Sequence, residues 1–245
     1  MTDWRLDHVV IAVRDLAGAS ADFRSLGFTV VRGGTHPGGW THNALIAFSD
    51  GSYLELLAPT DVAFLTDEEA VSARNFLFAL TGDEGCVGLS LTTDDLNAAV
   101  TSMQHRGVVI DSPRPGGRLR HDDVRLEWRI AMQDRNLMPF FIQDLTPRSL
   151  RVPSEPAAVT HPNGARGVRD IALSSSRPAY WESRFAAMLG PAASNGLRAL
   201  GTTTLRVAAG PGISQEPTLT VILRGPASTA LDPTLTHGAR LRFGG

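Results

Sequence analysis

The sequence contains no lysine: all 23 basic residues among its 245 positions are arginine. Chemistry that needs a side-chain amine is therefore excluded, including Schiff-base and pyridoxal-phosphate catalysis and the phosphate-binding lysine of a P-loop. Cysteine is nearly absent. A single residue, Cys86, permits neither an internal disulfide nor a cysteine-cluster zinc site and fits a reducing compartment. Its neighbours Val87, Leu89 and Leu91 mark it as a buried thiol, with a nucleophilic role as the less favoured alternative. No apolar run is longer than a strand, so no membrane-spanning helix is expected. The chain opens on Met1-Thr2-Asp3-Trp4 with no basic-then-apolar leader, and a cytoplasmic location is the expectation. A formal net charge of −2 gives no reason to expect nucleic acid or an anionic membrane as partner.

The residues that are present describe an ordinary globular chain, 42% hydrophobic and 20% charged. An internal repeat organises it. Residues 6–13 (LDHVVIAV) are apolar and β-branched, as in a strand. Asp15 then reads as a helix N-cap, Leu16, Ala19, Phe23 and Leu26 follow at helical spacing, and Gly27 stops the helix. The same grammar returns later: strand 87–92, cap Asp95, helix face Leu96, Ala99 and Met103, stop Gly107. Strands at 28–32, 41–48 and 52–57 follow the first helix, and strands at 108–110, 124–132 and 139–145 follow the second. A weaker third copy starts at Val168, carries Trp181, Phe185 and Met188 on its helix, and continues with strands at 203–209, 218–223 and near 239–243. The expected organisation is a first βαβββ module over 1–60, a connecting segment over 61–85 with a helix-like stretch around 68–78, and a second module over 86–147. A linker over 148–167 and a divergent third module over 168–245 complete it. An odd unit has no internal partner, which leaves it to cap the sheet or to pair across a homodimer.

Tandem βαβββ units with His8 in the first strand and Glu55 in the fourth (SYLELLAP) resemble the vicinal-oxygen-chelate superfamily. The stretches THPGGWTHNALIAFSDGSYLELLAP, VRLEWRIAM, PFFIQDLTP and HPNGARGV are similar to its glyoxalase-like branch. The resemblance implies an α+β fold in which the modules form a curled mixed sheet, as in glyoxalase, bleomycin-resistance and dihydroxybiphenyl-dioxygenase proteins. It also implies His8 and Glu55 as ligands of a divalent metal (Zn, Ni, Mn, Co or Fe) and no organic cofactor.

Alternation along the strands gives an independent view. His8, Val10 and Ala12 share one face of the first strand, and Tyr53, Glu55 and Leu57 share one face of the fourth. Both faces can line the hollow of a curled sheet, with His8 and Glu55 as catalytic candidates. The repeat puts Gly88 opposite His8 and Gln143 opposite Glu55, so the second unit supplies no matching ligands. A third ligand would come from His36, His42 or His161 in loops, or from Asp170, which one register of the repeat aligns with His8. His36, Asn43 and Tyr53 are candidate substrate contacts. Arg129 joins them if the apolar set Leu126, Trp128 and Ile130 faces the helices and the charged set faces inward. The arginine-rich stretch 114–120, with Gly116 and Gly117, reads as a mobile loop over the mouth.

Three functions remain open on this basis. A glyoxalase-like lyase or isomerase would use a divalent ion near His8 and Glu55 to polarise a carbonyl or chelate vicinal oxygens. A metal-free binding or resistance protein of the same fold is the alternative, and a module with a decayed site is the third. The expected partner is a small-molecule substrate in every case but the last.

Overall fold

The computed structural model describes residues 2–36, 38–61, 83–120, 122–133, 136–210, 217–226 and 228–244. The helical stretch expected around 68–78, and His121 in the basic stretch, lie outside the described residues. Within them an eight-stranded sheet runs in the order β2-β3-β4-β1-β5-β8-β7-β6. Its strands are β1 (Arg5–Ala12), β2 (Val31–Thr35), β3 (Thr41–Ala47), β4 (Tyr53–Pro59), β5 (Gly85–Thr92), β6 (Arg114–Leu119), β7 (Arg125–Gln133) and β8 (Asn136–Asp144). β1 is parallel to β4, β5 is parallel to β8, and β1 and β5 meet antiparallel at the centre. This is the α+β class with a curled mixed sheet that the family resemblance implies.

The two helices on this sheet form where the capping signals fall. Asp15 accepts from the Ala17 N–H at the start of α1 (Leu16–Ser25), and Asp95 accepts from the Ala98 N–H at the start of α2 (Leu96–His105). Past their ends Gly27 and Gly107 adopt φ of +81° and +80°, the left-handed region that only glycine enters freely. Ala19 and Phe23 of α1, and Leu96, Ala99 and Met103 of α2, pack on Val9, Ile11, Leu89 and Leu91. Phe23 is fully buried and contributes roughly 2–3 kcal/mol through that burial.

The sheet rolls until its edge strands approach. The Arg118 guanidinium on β6 donates to the Gly33 carbonyl on β2 at 2.7 Å, bridging the two edges. The stretch expected as a mobile loop, 114–120, is therefore largely strand β6, paired antiparallel along β7 from Arg114 to Leu119. Gly116 is cross-strand from Trp128, and a side chain at 116 would collide with the indole, so the glycine makes room for the ring rather than for movement.

A five-stranded second sheet has the order β10-β11-β9-β12-β13, built from β9 (Gly167–Ser175), β10 (Arg198–Leu200), β11 (Thr203–Ala209), β12 (Thr218–Arg224) and β13 (Arg240–Gly244). Short helices α3 (Arg148–Arg151) and α4 (Pro156–Val159) lie on the connecting segment, and α5 (Pro178–Leu189) buries Trp181, Phe185 and Met188 in the same continuous core. β9 is parallel to β11, antiparallel to β12, and β12 is parallel to β13. That is the pairing of the first sheet's centre. β12 and β13 do not extend β11; they sit beside β9 as β5 and β8 sit beside β1, so the last strands of the chain supply an internal partner.

Candidate functional site

The strand that carries His8 is irregular at one position, and that irregularity builds the site. Leu6 pairs with Leu91 and His8 pairs with Ser90, so Asp7 is an extra residue in β1 with no partner across the ladder. Such a bulge breaks the alternation of faces and re-aims a side chain. Asp7 thus comes to the same side as its neighbour, and its Oδ1 lies 2.5 Å from His8 Nδ1. The other ring nitrogen, Nε2, lies 3.2 Å from Glu55 Oε2. His8 pairs across the parallel ladder with Tyr53, whose ring stacks on it at 4.5 Å, and Phe140 meets it edge-on at 5.4 Å.

Glu55 sits between two imidazoles and an amide. Asn43 Nδ2 donates to Glu55 Oε1 at 2.6 Å, and the Asn43 oxygen accepts from the Gly34 N–H at 2.9 Å. His36 Nε2 is 3.8 Å from Glu55 Oε1, and His36 Nδ1 pairs with Thr41 Oγ1 at 2.9 Å. These residues form the floor of a cavity of about 300 Å³ inside the rolled sheet. Its walls come largely from the second half of the sheet: Trp128, Ile130, Met132, Phe140 and Ile142. A wider surface groove of about 850 Å³ follows the connecting segment and includes His161.

Behind His8 stands a buried ionic cluster. Arg151 donates twice to Asp7, at 3.1 and 2.8 Å, twice to Asp144, at 2.5 and 2.8 Å, and once to the Tyr53 hydroxyl at 2.8 Å. Arg148 also bonds Asp7 and Asp144. Burial alone would raise the Asp7 carboxyl, but Arg151, His8 and Arg148 hold it well below the usual carboxylate range. Burial likewise works against a charge on His8, yet the hydrogen bonds to Asp7 and Glu55 outweigh it and raise the imidazole. Glu55 is raised by burial and lowered more strongly by His8, by His36 and by Asn43, to about 2. His36 moves the other way: burial lowers it, Arg118, His8 and His42 add to this, and Glu55 opposes. At neutral pH the floor therefore holds an ionised Glu55, a charged His8 and a neutral His36.

The structure brings together His8, His36, Asn43, Tyr53 and Glu55 among the residues singled out from sequence. It does not bring Arg129. Ala131, two residues along β7 from Arg129, packs in the helix-side core, whereas Trp128 and Ile130 line the cavity. The apolar set on β7 faces inward because the cavity wall is itself apolar. A buried arginine does line the cavity, Arg118 on β6. Asp170 follows a bulged residue, Arg169, as His8 follows Asp7, but it lies in the second sheet and bonds Thr204 and Arg169. His161 is used up elsewhere: Nδ1 accepts from the Thr29 N–H at 2.9 Å and Nε2 faces the Ala47 carbonyl at 3.0 Å. Gln143 reaches the backbone at the start of α2, and burial pushes the Cys86 thiol up to about 12, which removes it as a nucleophile at neutral pH. Asp7, Arg148, Arg151 and Arg118 were not legible as site residues.

A divalent ion fits this donor set poorly. Both His8 nitrogens face carboxylate oxygens, which only accept, so both carry protons and neither offers a lone pair. Among the described residues no group of three or more His, Cys, Asp or Glu side chains is arranged to hold a metal ion. The ligand pair His8 and Glu55 is thus an ion pair, and no step below passes through a metal.

Residues 6–189 match the family model of the glyoxalase-like domain, and the chain belongs to that family, within the vicinal-oxygen-chelate superfamily. A hypothetical protein from Staphylococcus aureus has the same fold over the whole length, with a TM-score of 0.77 at 18% identity and coverage of 98% of this chain and 99% of that one. Methylmalonyl-CoA epimerase from Streptomyces coelicolor is similar over 58% of this chain and 98% of its own, at 23% identity and a TM-score of 0.43. The epimerase from Mycobacterium tuberculosis is similar over 60% and 91%, at 20% identity and a TM-score of 0.42. No curated protein matches the chain. Among the described residues no helix is long and apolar enough to cross a membrane.

Proposed function

We propose that this chain is a small-molecule enzyme of the isomerase or lyase type, moving a proton at a carbon next to a carbonyl group. The observation that carries this is a neutral imidazole in the cavity with its Nε2 held 3.8 Å from an ionised carboxylate. His36 Nδ1 pairs with Thr41 Oγ1 at 2.9 Å, and in the tautomer where Nδ1 is the donor the Nε2 lone pair is free to take a proton. Glu55 is a weak base, being held at about 2, and does not take that proton itself. Its fixed negative charge stabilises the imidazolium once His36 has been protonated. His8 and Asn43 hold the Glu55 oxygens in place, and the Asp7–Arg151 cluster holds His8. The charge on Arg118 faces the same space and favours the negative oxygen of an enolate.

The test is deuterium incorporation from D2O into a panel of 2-oxo acids, 2-oxo aldehydes and simple ketones, followed by NMR above the uncatalysed rate. Exchange of at least one panel member, slowed about 100-fold or more in His36→Gln, is the expected result. No exchange with any of them, or the same rate in the variant, refutes the assignment. A metal-free binding protein is the second reading. What favours it is that Glu55 is saturated by His8, His36 and Asn43, as in a site built to hold shape rather than to react. Saturable ligand binding with no proton exchange would decide for it.

A further inference from the structure

We infer that Arg118 is the anchor for a substrate carboxylate, which makes the substrate class small monocarboxylic acids with a flat apolar body. This rests on the proton-transfer function proposed above and names what that site would take. Three observations lead to it.

Among the buried charged groups around the cavity the charges balance except at one place; Arg114, also on the lining, is exposed. Asp7, Asp144 and Glu55 are answered by Arg148, Arg151 and His8 in short ion pairs. Arg118 is only 7% exposed, and among the described residues it contacts no carboxylate within ion-pair distance. One of its N–H groups donates to the Gly33 carbonyl at 2.7 Å, and the residue lines the cavity. A buried charge without a partner is costly, and the cost is removed by a ligand of opposite sign. One unmatched buried positive charge calls for one negative charge. The planar fork of a guanidinium matches a carboxylate in two-point fashion. A dianionic phosphate would bring a second negative charge toward Glu55, on the same cavity floor.

The remaining surface selects the body of the ligand. Trp128, Ile130, Met132, Phe140 and Ile142 present little but apolar surface, and the Trp128 indole rests against Gly116, where any side chain would displace it. The result is a largely apolar wall beside the polar groups of His8, His36 and Glu55. A volume of about 300 Å³ is at the small end for ligand pockets. An apolar plate with one acidic end fits these boundaries, with its carbon acid between the anchor and His36.

Calorimetric titration with phenylacetate, phenylpyruvate, benzylphosphonate and the neutral 2-phenylethanol tests the assignment. In the unaltered protein the two carboxylates should bind at least tenfold more tightly than the alcohol, and no less tightly than the phosphonate at a pH where it is a dianion. Arg118→Met should erase the preference for acid over alcohol, and Arg118→Lys should restore part of it. Since Arg118 also bridges two strands, the comparison within the unaltered protein stands even if both variants fold poorly. Equal affinity for acid and alcohol, no binding by either carboxylate, or tighter binding of the phosphonate overturns it. His36→Gln separates the two claims. It should keep carboxylate binding while losing exchange. Binding without exchange in the unaltered protein sinks the proton-transfer function alone, and exchange on neutral ketones that Arg118→Met leaves unchanged sinks the anchor alone.

Discussion

Asp7 Oδ1 lies 2.5 Å from Nδ1 of His8, its neighbour in the chain, on a strand where neighbours ordinarily point to opposite faces. The bulge at Asp7 makes the contact, and Arg148 and Arg151 complete it from the other side. Replacing Asp7 by Asn keeps the shape and removes the charge, leaving His8 and Arg151 without their common counter-ion. Loss of one partner from a buried pair costs roughly 3–5 kcal/mol. A loss near the lower end is expected, since Asp144 still holds Arg151. Urea unfolding of Asp7→Asn checks this, and a loss below about 1 kcal/mol would mean that the cluster is not a coupled unit.

Stability should fall as the medium becomes acidic, in part through His161. Burial lowers this imidazole from its ordinary value, with the Ala47 carbonyl opposing. A group lowered in the folded state takes up its proton more readily when unfolded, so its contribution is complete above about pH 6.5 and declines as the pH drops below that. The structural cause is specific, because protonating Nδ1 ends its acceptance of the Thr29 N–H. His161→Gln should show a shallower fall in urea midpoint between pH 7.5 and 5.5 than the unaltered protein. Parallel curves would show that the histidine plays no part.

Gly33→Ala should damage the site without touching a titratable group. A Cβ at 33 would stand 1.9 Å from the Asn43 side-chain oxygen, far inside contact distance. Asn43 must then swing away from Glu55 or the β2 edge must move. Overpacking of this sort costs roughly 1–3 kcal/mol. A lowered melting temperature together with weaker ligand binding is expected, and a variant identical to the parent in both would contradict the packing described.

Metal removal should change nothing. With both His8 nitrogens carrying protons toward Asp7 and Glu55, chelator treatment is expected to leave melting temperature and ligand binding as they were. Untagged protein prepared without chelator should hold far less than one equivalent of Zn, Ni, Mn, Co or Fe. Stoichiometric metal that disappears in His8→Ala would reverse the assignment of that pair.

Much of the architecture was legible because it is written twice. The Asp caps, the glycine stops and the helix faces recur at fixed offsets, and alternation placed His8 and Glu55 on a common side. Alternation failed where the chain breaks its period. Asp7 is invisible to a two-residue repeat because the bulge inserts it. On β7 alternation alone leaves open which set faces the helices, and here the hollow is the greasier neighbour for Trp128 and Ile130. Strand β6 was read as a loop because Pro115, Gly116 and Gly117 weaken strand propensity, while the cross-strand fit of Trp128 on Gly116 overrides it. Arg148 and Arg151 belong to a stretch whose composition suggests only a connector.

That connector ties two parts of the molecule into one fate. The arginines that brace the imidazole belong to the tether leading to the second sheet, so the first sheet cut off at Asp144 would lack both of them. Loosening the tether, by cleavage near 147 or by transplanting the front half alone, would withdraw both guanidinium props and let the pocket floor sag.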